Sequence, residues 1–278
     1  MYKLNVITEG QMENENKGIL LIIGGAEDKK NKMEILKKFV RLLDEDARLL
    51  VLTTATMEPE SAGDNYRRVF EKLGMKKIDI LNINSREDAN NEEYVKKIRN
   101  CEGIFFTGGD QLRITSIIGG TKAYEALSDC YNNGGVIAGT SAGASAMSNI
   151  MIVEGDDNEP ARKCTIKVAS GLNLLNNSII DQHFAQRGRI GRLLCGVAGN
   201  PDILGIGIDE DTSIIVYSDD TFEVYGTNSV TIVDGRSIES SNVSELEPDE
   251  ILAITNITLH VLPEGYGFNL KNRKVFRI

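Results

Sequence analysis

Gly134-Gly-Val-Ile-Ala-Gly-Thr-Ser-Ala-Gly-Ala-Ser-Ala-Met147 decides how the chain is read. Val136-Ile-Ala138 is a short apolar run of the kind found in strands buried on both faces. It leads into Gly139-Thr-Ser-Ala-Gly143, a G-x-S-x-G sequence, and the small residues from Ala144 to Met147 are where helix is expected to resume. A serine on a tight turn between strand and helix has its hydroxyl lifted above the carboxyl edge of a sheet. Small flanking residues are needed because such a turn is strained. The next backbone N–H, that of Ala142, is then aimed at a developing oxyanion. Ser141 is the candidate nucleophile. The competing reading is a serine that simply fits a tight turn.

Outward from this point the first half of the chain alternates. Gly18-Ile-Leu-Leu-Ile-Ile23 reads as a buried strand ending in Gly24-Gly25. Ile35, Leu36, Phe39, Val40 and Leu43 recur at helical spacing within Asn31–Leu43. A strand at Arg48–Thr54, a helix at Gly63–Leu73, a strand at Lys77–Ile83 and a helix at Glu92–Ile98 follow. Gly103–Thr107 is a further strand, ending in Gly108-Gly109, before helices around Gln111–Ile117 and Tyr124–Tyr131. This β-α-β-α order implies a mostly parallel sheet with helices on both faces, a three-layer α/β sandwich. Beyond about residue 200 the pattern becomes short strands, at Ile203–Ile208, Ser213–Tyr217, Thr221–Tyr225 and Val230–Val233. More follow near Ile251–Ile254, Thr258–Leu262, Gly267–Leu270 and Lys274–Ile278, so this end is expected to form antiparallel β hairpins on the main sheet. A single domain over residues 1–278 is expected, with its core at about 18–215, a β-rich part at about 216–278, and a surface loop at Glu239–Glu250.

Composition narrows the function. The chain has 278 residues, with 31 Lys+Arg against 41 Asp+Glu and a net charge of −10. That balance argues against nucleic acid, which wants a basic footprint, and against an anionic membrane surface. The longest apolar run, Ile19–Ile23, is too short to span a bilayer, and Met1–Lys17 lacks the apolar stretch of a secretory signal, so a cytoplasmic protein is expected. Cys101, Cys130, Cys164 and Cys195 are widely spaced without a C-x-x-C pair, so they read as ordinary buried thiols. No metal or cofactor is expected: H-E-x-x-H, G-x-G-x-x-G and Walker A sequences are all absent.

A serine nucleophile needs a base, and the chain has two histidines. His260 lies inside the apolar strand Thr258–Leu262, where packing on a sheet face suits it. His183 follows the apolar run Ser178–Ile180 in a polar cluster, a better place for a general base. The base needs an orienting carboxylate. Gly205-Ile-Gly-Ile-Asp-Glu-Asp211 puts three acids at a strand end; Glu210 is favoured, with Asp209 and Asp211 as competitors. Gly108-Gly109 allows the close backbone approach that an oxyanion hole requires, so Gly109 and Ala142 are the candidate donors, while Asp110 reads as a helix cap. Arg187, Arg189 and Arg192 cluster after His183. They read either as a solvated helix face or as fork-shaped groups that hold a substrate carboxylate.

Four motifs, in this order, resemble one family. They are Phe105-Phe-Thr-Gly-Gly-Asp-Gln-Leu112, Ala138-Gly-Thr-Ser-Ala-Gly-Ala144, Asp181-Gln-His-Phe184 with its Arg-x-Arg-x-x-Arg tail, and Gly205-Ile-Gly-Ile-Asp-Glu-Asp-Thr212. From about Gly18 to Val233 the chain resembles the cyanophycinase family, whose wider group includes the aspartyl dipeptidase peptidase E. The resemblance implies a flavodoxin-like core, a homodimer and a cytoplasmic serine exopeptidase. Its substrate would be cyanophycin, a poly-aspartate backbone with arginine on each side-chain carboxyl, cleaved to β-aspartyl-arginine. It implies Ser141, His183 and Glu210 as catalytic residues, and Gln111, Asp181, Gln182, Arg187, Arg189 and Arg192 as substrate contacts. An α-aspartyl dipeptidase and a non-catalytic binder of arginine-rich polymer are the alternatives. The stretch after Asp234 carries no matching motif.

Overall fold

The computed structural model describes residues 17–162 and 166–278. The expectations for the segment before Lys17 and for Cys164 lie outside these residues. The parallel core is built from β1 (Ile19–Ile23), β2 (Arg48–Leu52), β3 (Lys77–Leu81), β4 (Gly103–Phe106) and β5 (Val136–Thr140). In space they run β1-β5-β4-β2-β3, every neighbouring pair parallel. The connecting helices are α1 (Glu34–Arg41), α2 (Pro59–Lys72), α3 (Glu92–Arg99), α4 (Gln111–Ile118) and α5 (Lys122–Asn132).

Alternation along each strand sends side chains to opposite faces. On one face Leu21, Ile23, Val51 and Phe105 meet Phe39 of α1 and Tyr66 and Phe70 of α2. Phe70 and Phe105 are fully buried with ring centroids 5.3 Å apart in an edge-to-face arrangement. On the other face Leu20, Ile22, Leu50 and Ile104 join Val95, Ile98, Ile114 and Leu127 from α3, α4 and α5. Burying each such side chain contributes roughly 1.5–3 kcal/mol, which explains why the strand runs are so uniformly apolar. Asp110 caps α4 as expected, accepting from the Leu112 N–H at 2.8 Å.

After Ser141 the helix lasts one turn, α6 (Ala142–Ser145), and is replaced by a strand, β6 (Ser148–Gly155). The expectation of continued helix fails here because Ile150, Ile152 and Val153 are β-branched. Tertiary pairing supports them: β6 pairs with β7 (Ile166–Ser170) and with β8 (Leu175–Gln182). Next come α7 (Ile190–Gly199), β9 (Leu204–Ile208), β10 (Thr212–Val216), β11 (Thr221–Gly226) and β12 (Ser229–Asp234). The chain then forms the short pair β13 (Ser240–Ser241) and β14 (Ile254–Thr255), followed by β15 (Thr258–Pro263), β16 (Tyr266–Asn269) and β17 (Lys274–Arg277).

From β10 onward the late strands are antiparallel, as expected, but β9 departs from that expectation by pairing parallel with β8 and antiparallel only with β12, and the late strands divide between two sheets. β10, β11, β16 and β17 extend the main sheet from β1, making nine strands among the described residues. β9, β12 and β15 continue a six-stranded sheet with β8, β6 and β7. Apolar residues of this second sheet, including Ile180, Ile206, Ile232 and Leu262, share one buried cluster with Leu20 and Ile22 of β1. His260 faces Phe268 with ring centroids 5.9 Å apart, a packed position on a sheet face. No helix among the described residues is long and apolar enough to cross a membrane.

Candidate active site

The last residue of β5 is Thr140 and the first of α6 is Ala142, which leaves Ser141 between them at φ 53°, ψ −112°. Non-glycine residues at positive φ are strained by roughly 1–3 kcal/mol and persist only where their surroundings fix them. Here the Ser141 N–H donates to the Ile23 carbonyl at 3.0 Å, and the Ser141 carbonyl accepts from the Ala144 and Ser145 N–H groups at 3.0 Å each. His183, just past β8, is also at positive φ, 46°. Its N–H donates to the Gly24 carbonyl at 2.7 Å and its carbonyl accepts from the Arg187 N–H at 3.1 Å. The end of β1 in the main sheet thus carries the end of β8 from the second sheet.

These two turns put the Ser141 Oγ 3.1 Å from the His183 Nε2. The other ring nitrogen, Nδ1, lies 2.6 Å from the Glu210 Oε1. Both ring nitrogens are engaged, and the His183 side chain is 13% exposed. Of the three acids after β9, the geometry brings only Glu210 to the imidazole. Asp209 is buried and accepts from the Ala185 N–H at 2.9 Å and the Ser229 hydroxyl at 2.8 Å. Asp211 turns away, accepting from the Asp28 N–H at 3.0 Å and the Thr227 hydroxyl at 3.1 Å.

Two glycines make room for this arrangement. A Cβ on Gly25, whose φ is 102°, would lie 2.4 Å from the His183 ring. A Cβ on Gly109, at φ 147°, would lie 2.2 Å from the Ala55 carbonyl oxygen. Gly109 therefore holds its loop against the turn after β2, while Gly108 lies beside Ser141. Ala142, the residue after Ser141, is fully buried.

The remaining candidates surround this centre unequally. The Gln182 Oε1 lies 3.3 Å from the Ser141 Oγ, a second acceptor for the single hydroxyl proton. Gln111 donates through Nε2 to the Ile152 carbonyl at 2.7 Å, which ties α4 to β6. Asp181 and Arg192, both buried, form a two-pronged pair: Arg192 Nε donates to Asp181 Oδ2 at 2.7 Å and Nη2 donates to Oδ1. Arg189 is buried too, donating to the Asp157 Oδ1 at 2.7 Å and the Gln182 carbonyl at 2.6 Å. Burial pushes the Arg189 guanidinium below its ordinary value, against the pull of Asp157 and Asp181. Burial also opposes ionisation of Asp157, yet the hydrogen bond from Arg189 and the charges of the three arginines hold its carboxyl below the usual range. Arg187 is exposed and forms no ion pair among the described residues.

Sequence reasoning missed three participants. Gly25 was read only as a strand end, although Gly-Gly after a buried strand was the available signal. Asp157 lies in a polar loop without a motif. Glu27, buried next to Thr140, is two residues past Gly25 and had no distinguishing pattern.

A three-layer α/β fold that carries serine, histidine and carboxylate in line at the carboxyl edge of its parallel strands has the makings of a serine-type peptidase. Comparison with known proteins agrees, since the chain matches Peptidase family S51 over residues 19–224 and belongs to that family. It is 38% identical over 262 residues to "Cyanophycinase" of Synechococcus elongatus, covering 94% of this chain and 81% of that relative. It is 40% identical over 261 residues to "Cyanophycinase" of Nostoc sp. (strain PCC 7120), covering 93% of this chain and 88% of that one. Among solved structures, a peptidase from an acI-B1 Actinobacterium shares the fold, with a TM-score of 0.63 at 19% identity over 96% of this chain and all of the other.

Proposed function

We propose that the chain is a serine exopeptidase that hydrolyses the poly-aspartate backbone of cyanophycin and releases β-aspartyl-arginine. The observation that carries this reading is the hydrogen-bonded line from Ser141 through His183 to Glu210. The similarity to proteins named cyanophycinase over more than nine-tenths of the chain supports the substrate.

In this mechanism His183 Nε2 takes the hydroxyl proton as Ser141 Oγ attacks a backbone aspartyl carbonyl. Glu210 holds the Nδ1–H and stabilises the imidazolium that forms. Backbone N–H groups of Ala142 and Gly109 receive the oxyanion; losing one such donor costs roughly 10²–10³ in rate. The C–N bond breaks, His183 returns the proton to the leaving amine, and water then clears the acyl-enzyme by the reverse proton path.

Arg187 is the cation available to grip a substrate carboxylate. Arg189 and Arg192, held by Asp157 and Asp181, would brace the segment that carries it, and Gln111 and Gln182 stay as substrate contacts on the strength of the resemblance. Cytoplasmic action and a homodimer stay in the proposal on the strength of the resemblance, and a single domain on the strength of the chain's length and composition.

The test is to incubate the protein and its Ser141→Ala variant with insoluble cyanophycin and to analyse the soluble products by mass spectrometry. Release of β-aspartyl-arginine by the wild type alone is expected. Hydrolysis of aspartyl dipeptides with the polymer left intact would overturn the substrate assignment.

A further inference from the structure

One buried carboxylate in the molecule has no part in the reaction derived above, and it is hydrogen-bonded to the residue that precedes Ser141. Glu27 is 4% exposed. Its Oε2 accepts from the Thr140 hydroxyl at 2.5 Å, and its Oε1 accepts from the Tyr66 hydroxyl at 2.6 Å. The Lys29 Nζ lies 2.8 Å from the same Oε1 and 5.2 Å from the centre of the Tyr66 ring. All four groups are therefore locked together, with charge balanced and donors matched to acceptors. A buried carboxylate at a sheet edge is costly unless it is paired in this way.

The position of this cluster gives it meaning. Thr140 is bonded directly to Ser141, whose backbone is held at φ 53°, ψ −112°. Thr140 is itself 3% exposed, so its side chain has no solvent alternative to Glu27. Glu27 also belongs to the same short loop as Gly24 and Gly25. That loop binds the His183 N–H through the Gly24 carbonyl at 2.7 Å and seats the imidazole against Gly25. One segment of six residues, Gly24–Lys29, thus touches the backbone of the base and the residue preceding the nucleophile.

We propose that Glu27 is a positioning residue: through the Thr140 hydroxyl it fixes the strained turn at Ser141 and keeps Oγ in register with the His183 ring that its own loop holds. The inference rests on the reading of Ser141 as nucleophile. Tyr66 and Lys29 hold Glu27, Glu27 holds Thr140, and Thr140 sets the direction in which the serine leaves the strand. If the bond is lost, the turn relaxes, and an error of about 1 Å in the placement of reacting groups lowers rates by about 10².

The experiment measures the second-order rate at which a fluorophosphonate probe labels Ser141, alongside kcat and KM on cyanophycin and the melting temperature. Thr140→Val keeps the shape and removes the hydroxyl; Thr140→Ser keeps the hydroxyl and serves as the conservative rescue. Glu27→Gln removes the charge. A core change far from the site, Phe222→Leu, provides a destabilised control. The expected result is a labelling rate and kcat lower by roughly 10–100-fold in Thr140→Val and Glu27→Gln, with KM little changed and Thr140→Ser near wild type. Phe222→Leu should label at the wild-type rate while folded. Wild-type labelling in Thr140→Val, with only its melting temperature lowered, would reduce Glu27 to a structural role and overturn the inference. Absence of labelling in the wild type would remove the nucleophile itself, a different failure that the same measurement separates from the first.

Discussion

The Cα of Gly25 lies against the imidazole of His183 so closely that a single added carbon would sit 2.4 Å from the ring. No room for a methyl group remains at a backbone φ of 102°, which side chains avoid in any case. Gly25→Ala should therefore push the ring off the line between Ser141 and Glu210. We expect kcat/KM to fall by about 10², measured beside a melting curve that shows the fold intact. Activity within a factor of two of wild type would mean that the ring is not seated where the glycine puts it.

On the proposed mechanism the adjacent acids Glu210 and Asp209 do different work. Glu210→Gln should lower kcat by about 10³–10⁴ with little change in melting temperature, because the amide no longer fixes the imidazole tautomer or its charge. Asp209→Asn should mainly cost stability, because the carboxylate that ties Ala185 to Ser229 becomes an amide. Steady-state kinetics and chemical denaturation on both variants check this. Equal kinetic losses would show that the two acids share the role.

The arginines after His183 should separate in the same way. Asp181→Ala removes the two-pronged partner of buried Arg192 and leaves it only the Gly155 carbonyl and the Asp157 carboxylate at 3.5 Å, a loss of up to about 3 kcal/mol visible as a lower denaturation midpoint. Arg187→Ala should leave the midpoint unchanged and raise KM for the polymer. A stability loss in Arg187→Ala, with KM untouched, would contradict the division.

The Asp157 carboxyl contributes one part of the pH dependence of stability. Its folded value lies below the unfolded one, which is near 3.9, so the native state binds its proton less readily than the unfolded chain. The stability it contributes is complete above that unfolded value and is lost as pH falls through the lower folded value. Unfolding midpoints measured from neutral pH downwards should drop more steeply below about pH 4 in the wild type than in Asp157→Asn. Parallel curves would mean that the Arg189 contact adds nothing.

Much of the fold and the centre of the site was legible because local pattern and final environment agree there. Buried parallel strands such as Leu20–Ile23 must be apolar on both faces, and the turn at Ser141 leaves little freedom in its neighbours. The six-stranded sheet was only partly legible. Ser148–Val153 follows a run of small residues that suits a helix, and its β-branched residues become a strand through pairing with β7 and β8. Composition could not choose among Asp209, Glu210 and Asp211, since all three sit at the same strand end. Their contacts differ, to Ala185, His183 and Asp28, all distant in sequence. Glu27 was invisible for the same reason, its partner Thr140 being 113 residues away.

Ser141 stands on a strand of the larger sheet, while His183 and Glu210 stand at the ends of two strands of the smaller one. A ribosome delivers them in that order, and β10, which pairs beside β1, comes after all three. A half-made chain consequently carries its serine without a base. On the proposed mechanism the three groups meet only when both sheets have docked, so turnover would double as a readout of completed assembly.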